Sequence, residues 1–596
     1  MTTMMKKNLI ETNRWMTLIA LSFIMCHLSF SPARAQELTV TVDSVGRLAS
    51  QLPDSIRYTM SELKITGPLN GNDLKILQLM TRNVRSKKAG EVVLTAIDLS
   101  ETTIAESKGS FRTKADVLPA AMFQGCKNLQ RVSLPSTTTE VSRSCFSGCV
   151  NLKEVDIPDG VRAIGDYAFN GCASLERVKL PEELAVIQNR AFDGCIALAS
   201  IDIPESVEVI EAGAFANCKA LERISLHETS LKTISNATFL RCERLSSINL
   251  PGSVTLIGTE AFKGCKSLES IQMPDAINEI GNSAFEDCQS LESIEMTTAT
   301  TIGSDAFKGC LSLNSVEIER VNKIGNNAFE NCAGLANVSL NGNLQSIGTE
   351  MFAKCTSLSS VSLPPSVKTI GKSAFSECKS LATIELPDGL TKLGDRAFQD
   401  CASLKQLTIP SMAKQLGSNT FENCTSLDSV SILGFVEKLE SDVFRNCHSL
   451  RIVELPISVK SIGDHAFEQC SSLNTLKLPI SVTSIGDDAF AKCASLTSIV
   501  LPAACTTIGS ASFRECTTLA RVELPAAIKK IGGNAFSKCV SLKELVIGAP
   551  LPPNISHSTF KGVVLSACRI IVPKGAKNNY KTDKSWAKLP TIVEQE

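Results

Sequence analysis

Cysteine is the residue type in this 596-residue sequence most able to do chemistry, and there are 23 of them. Beyond residue 35, nineteen stand three residues after a phenylalanine, from Cys126, Cys149 and Cys172 to Cys516 and Cys539. Fifteen of the eighteen gaps between them are 23 residues, two are 22 and one is 24, so the thiols belong to a repeat. Thiols in such number could bridge, bind metal or act as nucleophiles. A zinc site needs four convergent ligands, often including His, and one thiol per repeat offers none. A secreted chain rich in Cys invites a disulfide reading. Neighbouring repeats stacked about 5 Å apart would allow bridges. Nineteen is odd, however, and pairing neighbours would pinch alternate repeats unequally. A row of buried thiols serving as small apolar fillers is therefore expected. Cys145 and Cys505 replace apolar residues of the repeat and should be buried too. Cys568 is assigned to an outward position of the last strand, as the one reactive thiol.

Other chemistry is sparse. Outside residues 1–35 the histidines are His227, His448, His465 and His557, each alone in its local sequence. No H-E-x-x-H, G-x-S-x-G or phosphate-loop motif occurs. Carboxylates are plentiful but occupy repeat-surface positions, where a solvated face is the default. No catalytic residue, cofactor site or metal site is assigned, and an enzyme is not expected.

The elements that carry the thiols follow from the repeat. Its pattern is L-x-x-[IVL]-x-[LIM]-P-x-x-[VL]-x-x-[IL]-G-x-x-A-F-x-x-C, as in Ser472 to Cys493. The first half alternates with period 2, the mark of a short strand with one face inward. Pro follows that strand in 13 of 19 units and ends it, because Pro cannot donate to a ladder. The next apolar pair forms a second short extended segment. Gly follows in 13 of 18 units, and Ser142, Gln188, Glu211, Ser235 or Glu440 elsewhere, so a tight turn is expected there without an obligatory positive φ. A-F-x-x-C reads as one helical or 3₁₀ turn, with Phe and Cys on one face. About eight positions per unit point inward, too few for one unit alone but enough for a continuous core when units stack. The expected fold is an α/β repeat: a solenoid of about 19–20 coils, with short parallel strands and 3₁₀ or helical turns, capped at both ends.

Four segments are expected. Residues 1–35 read as a signal peptide, with Lys6, Lys7 and Arg14 before an apolar stretch and Ala33-Arg34-Ala35 as the cleavage site. Residues 36–125 form an N-terminal cap and irregular first coil. Val45, Leu48 and Leu52 suit one helix there, and Leu74, Leu77 and Met80 another. Leu94-x-x-Ile97-x-Leu99 is the first strand of the repeat type, with an irregular return through Phe111. Residues 126–548 are the solenoid. Residues 549–596 are a degenerate last coil and C-terminal cap, in which Ile570-x-Val572-Pro573 ends the last strand and Tyr580 and Trp586 cover it. No second apolar run of spanning length follows the leader, so no transmembrane segment is expected in the mature chain. The formal charge is −1, and the leader carries four basic residues against Glu11, leaving −4 for the remainder. Both signs are evenly mixed, which points away from nucleic acid.

The pattern L-P-x-S-V-x-x-I-G-x-x-A-F-x-x-C resembles the BspA-like, or Treponema-type, leucine-rich repeats over roughly residues 92–575. The resemblance implies a curved leucine-rich repeat solenoid at a bacterial cell surface, of the kind associated with adhesion to host matrix proteins, other bacteria and epithelial cells. That family defines no catalytic residue and no universal ligand site.

A partner would meet the outward strand positions. In the middle coils these include Ser247, Asn249, Ser270, Gln272, Ser293, Glu295, Ser315, Glu317, Asn337, Ser360, Thr383 and Glu385, a neutral-to-acidic polar face. The competing reading is a solvated sheet whose small polar residues simply suit strand spacing. Arg131, Arg177, Lys179 and Arg223 make the N-terminal strands weakly basic. Aromatic residues outside the Phe–Cys units and the leader are few: Phe111, Phe435, Tyr58, Tyr167, Tyr580 and Trp586, with Phe560 extending the Phe column. Sugar sites commonly stack rings on Trp or Tyr, which disfavours a glycan platform. The expectation is a secreted or surface-attached adhesin-like protein that binds a matrix or cell-surface protein. The alternatives are a structural scaffold of the cell envelope and a glycan-recognition module using Tyr167 or Trp586.

Overall fold

The computed structural model describes residues 37–53, 56–58, 60–82, 93–108, 111–296, 298–589 and 591–596. The expected leader and Thr297, which replaces Pro in a 22-residue unit, lie outside them. The chain divides into two units, Met1–Pro181 and Glu182–Glu596.

In the first unit, five parallel strands stand in chain order: Glu37–Thr41, Glu62–Leu69, Ala96–Ile104, Arg131–Ser133 and Glu154–Asp156. Leu94, Ile97 and Leu99 are buried, as the repeat strand requires. Two strands precede that one and belong to the same sheet, so the N-terminal segment is itself wound into the solenoid. Both expected helices form, at Leu48–Gln51 and Gly71–Thr81. Val45 lies outside the first and is exposed. The second begins with a reciprocal cap: the Asn70 side chain accepts from the Asp73 N–H, and the Asp73 carboxylate accepts from the Asn70 N–H at 3.0 Å. The buried Asp73 also accepts from Gly46 and Leu48, which ties the short helix to the longer one.

The second unit has two columns of short parallel strands. One column contains Ser200–Asp202, Arg223–Ser225, Ser247–Asn249 and Ser270–Gln272, and later Gln406–Ile409, Ser429–Ile432 and Ile452–Glu454. The other contains two-residue strands such as Thr233–Ile234, Leu256–Ile257 and Glu279–Ile280. In the coil from Leu473 to Cys493 the eight pattern positions are buried. Among the described residues the coils number about 24. The count exceeds 19–20 because strands outside the Phe–Cys units join at both ends, and a final strand, Ile592–Glu594, lies beyond the one expected to be last.

The A-F-x-x-C segment is not a 3₁₀ or helical turn. Each such segment runs through turns with i→i+3 hydrogen bonds, such as Cys265 N–H to the Phe262 carbonyl at 3.1 Å. Two residues per coil are left-handed: the one before Ala-Phe (Glu260, φ 57°) and the one before Cys (Gly264, φ 74°). A left-handed residue at the third turn position reverses the chain more sharply than a helix does. It also aims three N–H groups at the next coil: Glu260, Phe262 and Gly264 donate to Asn282, Ala284 and Glu286. The turn column is therefore a second backbone ladder.

The repeat glycine is explained by proximity. Gly258 does not have a positive φ, yet a Cβ there would lie 2.7 Å from the Asn236 nitrogen and 2.8 Å from the Ile234 oxygen. The preceding coil's backbone passes too close for a side chain to enter without movement.

Phenylalanines form the central packing. From Phe192 to Phe560 each ring stacks on the next at 5.2–5.8 Å between centroids. Trp586 closes the column edge-on at 6.1 Å from Phe560, with Tyr580 edge-on to Trp586. Both cap residues are fully buried and satisfied: Trp586 Nε1 donates to the Pro553 carbonyl and Tyr580 Oη to that of Ala549. Phe307 sits between Phe285 and Phe329 at 5.3 and 5.2 Å. Replacing it with Ala removes two stacking partners and leaves a cavity, a loss of about 3–5 kcal/mol. Urea unfolding of Phe307→Ala should show a loss of that size; less than about 1 kcal/mol would mean that the stack is not what holds the coils.

Candidate functional site

The thiol row is a packing and hydrogen-bonding device. All 22 described cysteines are free and buried. Along the regular row the thiol donates to the Phe carbonyl of the preceding coil, as from Cys265 Sγ to Phe239 at 3.2 Å, Cys288 to Phe262 at 3.2 Å and Cys401 to Phe375 at 3.1 Å. Burial penalises the charged thiolate and pushes Cys265, Cys332 and Cys493 up to about 12. Cys126 departs from this. The Cys149 side chain beside it, with Thr81 and Arg82 nearby, holds its pKa below the ordinary value.

Cys568 is not the accessible thiol. It caps the short turn Leu565–Ala567 just before the strand Arg569–Val572 and is buried, with its pKa pushed up to about 11 by desolvation. Ile570 and Val572 face inward, and period 2 counted back from them puts Cys568 on the same inward side rather than the outward one expected. Cys145 and Cys505 are buried.

The histidines stay apart. His227 bonds Ser225, His448 bonds the Gln469 carbonyl and His465 bonds Glu468. Among the described residues no group of three or more His, Cys, Asp or Glu gathers in a way that could hold a metal ion.

Strand alternation brings the proposed partner residues onto one exposed surface of the second unit. Ser247, Asn249, Ser270, Gln272, Ser293 and Glu295 are exposed, as are Ser315, Glu317, Asn337, Ser360, Thr383 and Glu385. Parallel pairing aligns them coil by coil: Ser247 with Ser270, Asn249 with Gln272, Ser315 with Asn337, Asn337 with Ser360. An isolated bridge carries the row from Ser270 to Ser293. Inward neighbours such as Ile248, Ile271 and Val316 are buried, so these outward side chains stand on a fixed backbone. Ser360 Oγ donates to Asn337 Oδ1 at 3.1 Å, a bond between coils. Among the described residues Glu295, Glu317 and Glu385 form no ion pair, which leaves the face mildly acidic. At two other places the strand face pairs its charges. Arg131, read as part of a basic stretch, pairs with Glu62 at 3.0 Å, and Arg521 pairs with Glu523 at 2.8 Å.

Beyond Glu385 exposed apolar side chains appear beside polar strand positions such as Gln406 and Thr408, and the expected polar face does not include them. Leu433, Phe435, Ile452, Ile457 and Ile480 are exposed there. The available signal was Phe435 itself, a Phe outside every Phe–Cys unit.

The family described as "BspA type Leucine rich repeat region (6 copies)" has a model that matches residues 107–222, 210–336, 322–451 and 437–565. No curated protein matches the chain significantly. Among solved structures, a leucine-rich repeat protein from Bacteroides ovatus is similar at 24% identity, over 84% of this chain and 92% of its own, with a TM-score of 0.30. A leucine rich cell surface protein from Faecalibacterium prausnitzii is 26% identical over 59% of this chain and 87% of its own, with a TM-score of 0.32.

The thiols make two testable statements. Few should react with a thiol reagent natively and about 22 after denaturation, with Cys126 modified before Cys568; few in both states would mean disulfides. The pH dependence has a fixed sign. Unfolded thiols ionise near 9 and folded ones such as Cys265 near 12, so their contribution is complete below pH 9 and is lost as pH rises towards 12. The urea midpoint should fall across that window, and a flat profile would show that the thiols do not stay protonated inside the fold.

Proposed function

The chain belongs to the BspA-type leucine rich repeat family, and from that premise we propose that it is a secreted or cell-surface adhesin-like protein, binding a matrix or cell-surface protein through its polar strand face. The observation that carries this reading is the registered row from Ser247 to Ser360. Its outward positions are fixed by buried inward neighbours and left free of compensating ion pairs. Many modest polar contacts spread over a rigid surface suit a protein ligand better than a small molecule. Among the described residues no helix is long and apolar enough to cross a membrane, which fits attachment by other means. The leader at 1–35 is the proposed export signal.

A glycan module is less well supported, because Trp586, one of its two candidate rings, is fully buried under the last coil. An envelope scaffold remains the rival that binds no soluble ligand.

The test is a binding screen against immobilised matrix proteins, bacterial surfaces and a glycan array. Saturable binding to a matrix protein or to cells is expected. Combining Ser293→Lys, Ser315→Lys and Ser360→Lys should weaken it by about tenfold or more. Unchanged binding would remove this face from the proposal. Binding to glycans alone would favour the module, and silence on all three with retention in the envelope fraction would favour the scaffold.

A further inference from the structure

Five large apolar side chains cross four consecutive coils of the second unit at the corner between the two strand columns. They are Met412, Leu433, Phe435, Ile457 and Ile480, exposed by 53, 59, 61, 70 and 73%. Parallel coils are spaced by about 4.8 Å, so the row is about 15 Å long. Phe435 is the only exposed Phe among the described residues; the Phe–Cys rings are buried.

The corner is built to turn these groups outward. Leu433 stands where most units have Pro, and Gly434 follows it. The Leu433 N–H donates to the Ile409 carbonyl at 2.9 Å, a bond Pro could not make. A Cβ on Gly434 would lie 2.3 Å from the Ala413 carbonyl oxygen, so only glycine lets the corner press onto the preceding coil. With the backbone pinned there, Leu433 and Phe435 on either side project into solvent.

Beside the row lies a groove of about 920 Å³ on the strand face, reached by Leu433 and Ile452. Its lining carries three carboxylates, Glu385, Asp388 and Glu454, and no basic side chain. Among the described residues none of the three forms an ion pair. Glu454 accepts only a hydroxyl, from Ser431 at 2.7 Å. A contiguous apolar surface rimmed by polar groups marks an interaction site. The single sign of the rim selects the occupant. A second copy meeting this groove with its own would set carboxylate against carboxylate.

We propose that the groove and its corner dock a protein segment that is both apolar and basic. Its apolar side chains cover Phe435, Leu433, Ile457 and Ile480, and its cationic side chains meet Glu385, Asp388 and Glu454. This rests on the reading of the chain as a protein-binding solenoid, but places the contact beyond Ser360, on coils outside the registered polar row.

The probe is a fluorescent peptide of about 12 residues alternating Leu and Lys, compared with Leu/Glu and Ser/Lys peptides, titrated with the full-length protein by anisotropy. The Leu/Lys peptide should bind saturably and at least about tenfold more tightly than either control. Leu433→Ser with Phe435→Ser should weaken it by about tenfold or more, and so should Asp388→Lys with Glu454→Lys. These side chains are exposed, so an unchanged thermal melt should confirm that each variant folds. The Ser293→Lys, Ser315→Lys and Ser360→Lys variant should bind the peptide normally, so failure of the polar-face reading and failure of this one are told apart. Equal binding by wild type and the Phe435 variant, equal binding of the Leu/Glu peptide, or no saturable binding would overturn the proposal. So would a dimer in sedimentation that Leu433→Ser with Phe435→Ser disperses, since it would give the surface to a second copy.

Discussion

The typical Phe carbonyl in the turn column receives two hydrogen bonds, one from the Cys N–H of its own coil and one from the thiol of the next. Phe239 accepts from Cys242 N–H at 3.1 Å and from Cys265 Sγ at 3.2 Å. The carbonyl is buried where no water reaches it, so both lone pairs find partners within the chain. Alanine would fill the space without donating. Cysteine is small, apolar enough for the interior and able to donate weakly. The bond joins consecutive coils at the same point as the Phe stack, and the turn register depends on it.

That constraint explains which irregularities the repeat tolerates. The 24-residue unit still delivers Cys242 Sγ to the Phe215 carbonyl at 3.2 Å, and the 22-residue units still deliver Cys310 to Phe285 and Cys332 to Phe307. Insertion and deletion are absorbed between the two strands, where the chain faces solvent, and never between Phe and Cys. The corner at Leu433 and Gly434 is another variation of this kind: it changes what the surface presents and leaves Phe421, Phe444 and their rings stacked at 5.5 Å.

Stability and recognition therefore occupy different positions of every coil. Inward residues answer to the neighbouring coils. Outward strand residues answer to almost nothing inside the protein, so their chemistry is free to differ between coils on one backbone. The second unit uses that freedom twice, in the registered polar row from Ser247 to Ser360 and in the acidic, apolar groove near Phe435. Neither surface needs the thiols or the histidines, whose bonds are structural.

Residue types and their spacing determined the repeat, the inward set, the two short extended segments, the burial of Cys145 and Cys505, and the outward exposure of the twelve polar positions. All of these follow from periodicities of 2 and 23, which are local. Four matters were decided only by the tertiary structure. The left-handed residues beside Ala-Phe and before Cys carry no common residue type, since Glu260, His465 and Asn534 all serve; their conformation is imposed by the ladder to the next coil. The thiol-to-carbonyl bond spans about 26 residues and exists only when coils stack. The strands Glu37–Thr41 and Glu62–Leu69 lack the Phe–Cys signature and are recruited by pairing with a neighbour's open edge. Met412, Leu433, Phe435, Ile457 and Ile480 are scattered in sequence, and they become one surface because parallel stacking converts a separation of about one repeat into a few ångströms.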